Sequence, residues 1–125
     1  MKKIVSTTNA PAAIGPYSQA IIHNGLVYCS GQIPLNPETM EIVGDNATAQ
    51  AKQVMKNLSE VLKEAGSNFS KVIKCSIFLD DMSDFGDVNK VYGSFFETDP
   101  PARETVAVQT LPKEVLVEIS CIAYI

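Results

Sequence analysis

The sequence predicts a single α+β domain over residues 1–125, in which one mixed sheet carries two helices on one face. Three observations lead to this prediction: two segments with apolar residues at helical spacing, several short alternating strand patterns, and no repeats or linkers. The hydrophobic fraction is 46% and the charged fraction is 19%, which is typical of a globular chain that buries its own core. The predicted element order is βββαβαββ.

The first three strands are predicted from turn chemistry. A short strand near residues 3–6 precedes a hairpin with strands over 19–23 and 26–30. Asn24-Gly25 joins them, because this pair supplies the positive φ angles that a type I′ turn needs. Residues 31–44, rich in Pro and Gly, are predicted to be loop.

The first helix is predicted from its cap and its apolar stripe. Asp45-Asn46 stands at the N-cap position, and Gly66 stands where the helix should end. Between them, apolar residues recur at helical spacing from Ala47 to Ala65.

The second half is predicted to contain one strand, one helix and two final strands. The strand covers 71–79, with Ile73, Cys75, Ile77 and Leu79 on one face. The helix begins at Ser83 or Asp84, has a stripe that includes Phe95, and ends at Pro100-Pro101. The last strands cover 104–109 and 115–124.

Apolar residues occupy both faces of the late strands, which two helices cannot cover. On the last strand Val117 and Ile119 alternate with Leu116, Ile122 and Tyr124. An uncovered apolar face of about several hundred Å² is the usual mark of an interface. We therefore expect a homo-oligomer whose bare sheet faces point inward.

The net charge and the positions of the cysteines exclude some classes of function. The net charge is −4 and the pI is about 4.9, so nucleic-acid binding is not expected. Cys29, Cys75 and Cys121 each lie in an apolar run, which predicts reduced, buried thiols in a cytoplasmic protein. Neither a signal peptide nor a membrane span is expected, and no metal-binding spacing occurs.

Arg103 is the only arginine beside nine lysines, and it follows Pro100-Pro101-Ala102. A planar fork of donors is needed where a carboxylate must be held at two points. Arg103 is therefore a candidate carboxylate anchor; the alternatives are a structural salt bridge or a surface charge. Glu118 lies in an apolar strand, where it could orient a water or merely neutralise Arg103 or a lysine.

Other polar positions carry weaker signals. Gly15-Pro16-Tyr17-Ser18-Gln19 and Ser30-Gly31-Gln32-Ile33-Pro34 lie where strands meet loops, and on spacing alone they read as ordinary turns. Asn89 lies on the polar side of the second helix, and His23 belongs to the hairpin. No catalytic triad, nucleotide-binding glycine pattern or cofactor motif is present, which restricts any catalysis to easy reactions such as hydrolysis of an electrophilic carbon.

The chain resembles the reactive intermediate deaminase A family (RidA, also called YjgF) over essentially its whole length. The resemblance is carried by separate motifs in the family's order: residues 9–20 (NAPAAIGPYSQA), Ser30 to Pro34, Gln50-Ala51, Asp84-Phe85 with Val88-Asn89 and Tyr92, Pro101-Ala102-Arg103, Leu111-Pro112, and Val117-Glu118-Ile119.

This resemblance implies a chorismate-mutase-like fold assembled as a homotrimer, with sheets inside and ligand sites between subunits. It implies cofactor-free hydrolysis of 2-imino acids or their enamine tautomers to 2-keto acids and ammonia. The implied catalytic residues are Arg103, which holds the substrate carboxylate, and Glu118, which positions the water. Tyr17 would close the pocket, and Ser30 with Gly31 would line it. Asn89 is a weaker implied contact.

Two positions depart from the family pattern. Thr105 stands where many members have Cys; its backbone N–H remains available to substrate, but a thiol role does not. Glu104 stands where a small neutral residue is usual, and strand alternation should point it away from Arg103.

Two other functions are consistent with the same residues. The pocket could belong to a regulatory trimer that binds a keto or imino acid and a partner protein without catalysis. Members of the family have also been described as ribonucleases or translation inhibitors, against which the acidic charge balance argues here.

Overall fold

The computed structural model describes residues 1–125 and contains one six-stranded sheet with both α-helices on a single face. The strand order is β1-β2-β3-β6-β4-β5, and every neighbouring pair is antiparallel except β4 and β5, which are parallel. The predicted α+β class and element order are confirmed. The elements are β1 Lys3–Val5, β2 Ala20–His23, β3 Leu26–Gln32, α1 Ala47–Glu64, β4 Val72–Leu79, α2 Phe85–Gly93, β5 Ala102–Ala107 and β6 Val117–Tyr124.

The predicted hairpin is confirmed with its turn. Asn24 has φ 51° and Gly25 has φ 77°, which are the left-handed values that a type I′ turn needs. β3 continues beyond the predicted end to Gln32, with a register shift against β6 between Cys29 and Gln32. The end of β3 therefore lies in residues 31–32, which were predicted to be loop.

Helix α1 forms as its cap and stripe predict. The Asn46 side chain accepts a hydrogen bond from the Ala49 N–H at 2.9 Å, and Gly66 follows the helix with φ 83°. Its apolar stripe lies fully buried against the sheet, including Met55, Leu58 and Leu62. Neither α1 nor α2 is long and apolar enough to cross a membrane.

The predicted facing of Ile73 is wrong. The β4–β6 register shifts between Val72 and Lys74, so a bulge turns Ile73 outward with 45% of its surface exposed, and Val72 is buried instead. From Cys75 to Leu79 the alternation is as predicted. A run of apolar residues contains no sequence signal for a bulge. Strict alternation therefore assigned Ile73 to the wrong face at the start of the strand.

Helix α2 ends at Gly93, well before the prolines that were predicted to end it. The next three N–H groups, from Ser94 to Phe96, bond three residues back, which tightens the chain out of the α-helix. Phe95 therefore lies outside the helix and is partly exposed. Gly93 lies within the apolar helical pattern, and glycine weakens a helix. This local preference ends α2 at Gly93.

The last two strands also differ from prediction at their starts. β5 begins at Ala102 rather than residue 104, so Arg103 lies inside the strand. β6 begins at Val117, because residues Pro112–Glu114 form a short 3₁₀ turn before it.

The sheet face opposite the helices is uncovered in the single chain. Large apolar side chains on this open face are exposed: Tyr28, Val106 and Tyr124. The two-sided apolar pattern predicted from the sequence is thus present, whereas the oligomer inferred from it stays a prediction. The open face also carries Glu118, which is paired across the sheet with Phe78 and separated by three residues from Cys121 on the helix side.

Candidate functional site

Two depressions contain the predicted site residues other than Thr105. The first, which we call the Glu118 cavity, has a volume of about 510 Å³ and is lined by Tyr17, Ser30, Gly31, Lys113 and Glu118 together with apolar side chains. The second, the Arg103 cleft, has a volume of about 470 Å³ and is lined by residues that include Asn89, Tyr92 and Arg103.

The Glu118 carboxylate has no counter-charge within the chain. It is half-buried on β6, and neither a hydrogen bond nor an ion pair within 4.0 Å reaches it. Because burial penalises the charged form, the pKa of Glu118 is raised above its usual value. The alternative that Glu118 neutralises Arg103 or a lysine is therefore not realised inside one chain.

Gly31 makes room for this carboxylate. A Cβ atom at Gly31 would lie 2.4 Å from Glu118 Oε2, which is far inside van der Waals contact. Gly31 lies within the irregular segment of β3, where the register against β6 shifts. Any side chain here would push the carboxylate away, so glycine is required by the position of Glu118.

Gln19 holds the loop that forms one wall of the Glu118 cavity. This fully buried side chain donates to the carbonyl oxygens of Thr7 at 3.0 Å and Pro11 at 2.8 Å, and its Oε1 accepts from the Thr7 N–H at 2.7 Å. Ser30 Oγ is already used, since it donates to the Ser18 carbonyl at 2.6 Å. Ser30 thus fastens the Tyr17 loop to β3.

Helix α1 fixes the opposite wall of the cavity. The fully buried Asn57 amide donates to the carbonyl oxygens of Ile33 at 3.2 Å and Leu35 at 3.0 Å, and both of these residues line the cavity. Gln53 adds hydrogen bonds to Leu35 and to Asn57.

Lys113 was not identified from the sequence as a cavity residue. It lines the Glu118 cavity from the turn before β6, with φ 55° and ψ 20°, and the following Glu114 has φ 57°. Left-handed backbone in successive non-glycine residues is unusual and worth attention near a site. The sequence pattern contains no signal for it, because Leu-Pro-Lys-Glu reads simply as a turn.

The Arg103 guanidinium is held by α2. Its Nη1 donates to Asn89 Oδ1 at 2.5 Å, and its Cζ lies 5.5 Å from the Phe85 ring centroid and 5.1 Å from that of Tyr92. No carboxylate lies within ion-pair distance of it. The structural salt bridge considered from the sequence is absent from the chain.

Glu104 points away from Arg103, as strand alternation predicts. Its carboxylate accepts a hydrogen bond from Ser76 Oγ and pairs with Lys74 Nζ at 2.9 Å on the open face. The hydrogen bond from Ser76 is the main cause that lowers the pKa of Glu104, and the contact with Lys74 adds to it. The guanidinium is therefore not occupied by its sequence neighbour.

Thr105 shares the helix-facing side with Arg103 but does not line either depression. Its hydroxyl is buried without a hydrogen-bond partner, and so is that of Tyr92. Burial is the main cause that raises the pKa of Tyr92, and contact with the Cys75 thiol adds to it.

Arg103 and Glu118 lie on opposite faces of the sheet. Arg103 is opposite Cys75, which is opposite Cys121, and all three face the helices. Glu118 is an odd number of residues from Cys121 on the same strand, so it faces the other way. One chain therefore separates the two predicted catalytic groups, with Asn89 near Arg103, and with Tyr17, Ser30 and Gly31 near Glu118.

The remaining titratable groups do not form a reactive cluster. His23 is exposed in the hairpin, the three cysteines are free and buried as predicted, and no cluster of His, Cys, Asp or Glu is arranged to hold a metal ion. Burial raises the pKa of Cys75, while contact with Cys29 and then burial raise that of Cys121. Such thiols are poor nucleophiles.

With this geometry established, comparison with known proteins identifies the family. A family model described as "Endoribonuclease L-PSP" matches residues 7–125. The chain belongs to the endoribonuclease L-PSP family. Proteins named as reactive intermediate deaminases are among its relatives, so the resemblance noted from the sequence motifs is confirmed.

Two curated relatives of this L-PSP chain carry different names. One from Lactococcus lactis, named "Putative regulator AldR", is 56% identical over 97% of this chain and 96% of its own length. One from mouse, named "2-iminobutanoate/2-iminopropanoate deaminase", is 46% identical over 98% of this chain and 91% of its own length.

The L-PSP fold is also matched among solved structures. The crystal structure of a Rid family protein of unknown function, YyfA from Yersinia pestis, superimposes with a TM-score of 0.98 at 47% identity and covers all of both chains. This agreement supports the six-stranded mixed sheet with two helices on one side.

Proposed function

We propose that this protein is a cofactor-free deaminase that hydrolyses reactive 2-imino acids and their enamine tautomers to 2-keto acids and ammonia. The substrates would be 2-aminoacrylate/2-iminopropanoate and 2-iminobutanoate. The observation that carries the proposal is that Arg103 and Glu118 each lack a counter-charge in the chain. Each therefore has free capacity, one for an anion and one for a water. The name of the mouse relative supports the substrate class.

The proposed active unit is a homotrimer with the open sheet faces inside. A second copy would bring its Arg103 cleft to the Glu118 cavity of the first, because the two groups cannot meet within one chain. The exposed apolar side chains on the open face supply a surface to bury. In this arrangement the substrate lies between two subunits.

The proposed chemistry needs orientation and one proton acceptor. The Arg103 fork would bind the substrate carboxylate at two points, and Glu118 would orient a water towards the imine carbon. As the water oxygen attacks, Glu118 takes its proton. Glu118 passes this proton to the imine nitrogen, which gives a neutral carbinolamine. The hydroxyl proton of the carbinolamine then passes to the same nitrogen as the C–N bond breaks and the carbonyl forms, and ammonia leaves with the 2-keto acid.

The other predicted residues would shape the site. Tyr17 would cover the substrate, and the backbone at Ser30 and Gly31 would lie near the imine nitrogen. The backbone N–H of Thr105 would complete the contacts to substrate. Asn89, which bonds Arg103, would act on the carboxylate side.

The direct test generates 2-iminobutanoate in situ with threonine dehydratase and follows the appearance of 2-oxobutanoate with and without the protein. We expect faster conversion with the wild type. The Arg103→Lys variant should lose most of the activity, with kcat/KM lowered about a hundredfold, because a point charge cannot replace the fork. Lys56→Arg, at an exposed position of α1, is the matched control. Equal rates with and without wild-type protein would refute the deaminase.

A regulatory role is the alternative considered from the sequence, and the Lactococcus lactis relative is named "Putative regulator AldR". A binder needs Arg103 but not a water-orienting carboxylate. Glu118→Gln should lower kcat about a hundredfold and leave 2-oxobutanoate binding nearly unchanged if the site is catalytic. Binding of 2-oxobutanoate without any turnover by the wild type would favour the regulator.

We also propose that the protein acts in the cytoplasm and does not bind nucleic acid. Its net charge of −4 provides little attraction for phosphates. Salt-dependent binding to single-stranded RNA would contradict the second part of this proposal.

A further inference from the structure

We infer that Phe85, Asn89 and Tyr92 form a clamp on α2 that fixes the Arg103 guanidinium and leaves one of its edges free for a planar carboxylate. The three are positioning residues, because they act through Arg103 rather than on the reacting atoms. They lie at i, i+4 and i+7, so they share one face of the helix. The inference rests on the proposed function for its substrate, but its geometry stands separately.

The clamp contacts both the positive charge and the N–H donors of the Arg103 guanidinium. The Phe85 and Tyr92 rings lie 5.5 Å and 5.1 Å from Cζ, within the range of cation–π attraction. Asn89 Oδ1 accepts from Nη1 at 2.5 Å, which fixes the rotation of the planar group about its long axis. The guanidinium has five N–H donors, so most remain available for a ligand.

The clamp is anchored in the core even though Arg103 is exposed. Only 4% of the Tyr92 surface is exposed, and its ring packs against that of Phe96 with centroids 4.8 Å apart. Phe85 is partly buried against the same core. An exposed arginine ordinarily samples many rotamers, so contacts to a rigid helix order it before the ligand arrives.

The clamp depends on Asn89 being uncharged. An aspartate at this position would have nearly the same shape but would place a carboxylate beside Nη1. It would then satisfy the guanidinium internally and compete with the carboxylate of the substrate. The chain avoids this elsewhere too, since Glu104 is turned to the open face and paired with Lys74.

The test exploits the fact that Arg103 is the only arginine, so its side-chain Nε–H signal needs no assignment by mutagenesis. In ¹⁵N relaxation measurements, the Nε order parameter should be about 0.8 in the wild type and below about 0.6 in Asn89→Ala and Phe85→Leu. Retained dispersion of the backbone amide signals shows that each variant is folded. Lys90→Gln, on the same helix, is the matched control and should leave the signal unchanged.

Ligand binding and turnover are measured on the same proteins. Asn89→Asp should raise the Kd for 2-oxobutanoate and the KM for 2-iminobutanoate at least tenfold, with kcat changed much less. A flexible Arg103 side chain in the wild type, or unaltered Kd in Asn89→Asp, overturns the clamp. If the wild type shows no deaminase activity but a rigid Arg103 and an Asn89-dependent Kd, the proposed function fails and the clamp stands.

Discussion

At the scale of single residues, Glu118 and Arg103 each lack an ion-pair partner within the chain. Glu118 is half-buried without a cation, and Arg103 is held by rings and an amide rather than by a carboxylate. For the half-buried Glu118, folding alone would favour pairing the charge or removing it. Their unpaired state is what makes them available to an external partner.

The raised pKa of Glu118 predicts a pH-dependent penalty on stability. The folded protein holds the proton more tightly than the unfolded chain, so its stability falls as pH rises from the ordinary Glu pKa through the raised folded pKa. Glu118→Gln removes this penalty. We expect the variant to have a higher Tm than the wild type at pH 7.

Thermal unfolding measured across the acid range checks this sign. The advantage of Glu118→Gln should shrink as pH falls below about 4, where the wild-type carboxyl is protonated in both states. Glu38→Gln, at an exposed position, is the matched control. The opposite trend would be a Tm difference, variant minus wild type, that becomes more negative as pH rises from acid to 7. It would mean that another group stabilises the ionised Glu118 carboxylate.

At the scale of elements, the strand β3 places Gly31 directly against the Glu118 carboxylate. Gly31→Ala should lower kcat about tenfold to a hundredfold, because a Cβ displaces the carboxylate from its position. The free energy of unfolding should change little, since the atoms that must move are the end of a flexible side chain. Steady-state kinetics and urea unfolding measure the two effects.

Gly86→Ala provides the control for this substitution. Nothing lies within 4 Å of a Cβ at Gly86, which is inside α2, so alanine should be neutral or slightly stabilising there. An active Gly31→Ala variant would show that Glu118 need not occupy the position seen here.

Helix α1 contributes to the site through the Asn57 amide. Asn57→Ala removes one donor from the Ile33 carbonyl and one from the Leu35 carbonyl. Ile33 keeps its bond from the Leu35 N–H and Leu35 keeps its bond from Gln53, so the protein should be destabilised by only about 1 kcal/mol. Urea denaturation gives the value, and Lys56→Ala, at the exposed preceding position, is the control. A change no larger than that of the control would mean that the Asn57 bonds add nothing to the bonds that the Ile33 and Leu35 carbonyls already accept.

Elements were predictable where local chemistry decides them. Asn24-Gly25 and Asn46 determine a turn and a cap by themselves, so both were located from sequence. The outward turn of Ile73 and the early end of α2 at Gly93 depend on register and on weak propensities, which an apolar pattern does not encode.

At the scale of the whole molecule, the candidate site is divided between two faces of one sheet. Sequence motifs identified Arg103 and Glu118 individually, but their separation follows from cross-strand register, which no spacing along the chain reveals. Lys113 was missed for a related reason, because its position depends on the fold around β6.

A division between subunits predicts complementation. Arg103→Lys and Glu118→Gln, each nearly inactive alone, should regain activity when they are unfolded together and reassembled. In random trimers, about a quarter of the sites would combine an intact Arg103 with an intact Glu118 from a neighbour, so about a quarter of wild-type activity should return.

Sedimentation equilibrium establishes the oligomer in the same samples. Co-refolding either variant with itself is the control and should restore nothing. No recovery in a mixture of well-formed trimers would mean that both groups act from one chain, contrary to the register of this sheet.

The shielded sulfurs have a consequence for self-protection. Cys29, Cys121 and Cys75 sit side by side across three strands beneath the helices, and all are closed off from water. A thiolate can add to the carbon–carbon double bond of 2-aminoacrylate, so under the proposed function an exposed thiol would be open to alkylation by the substrate. Packing all three thiols inside would let such a protein survive many encounters without being inactivated.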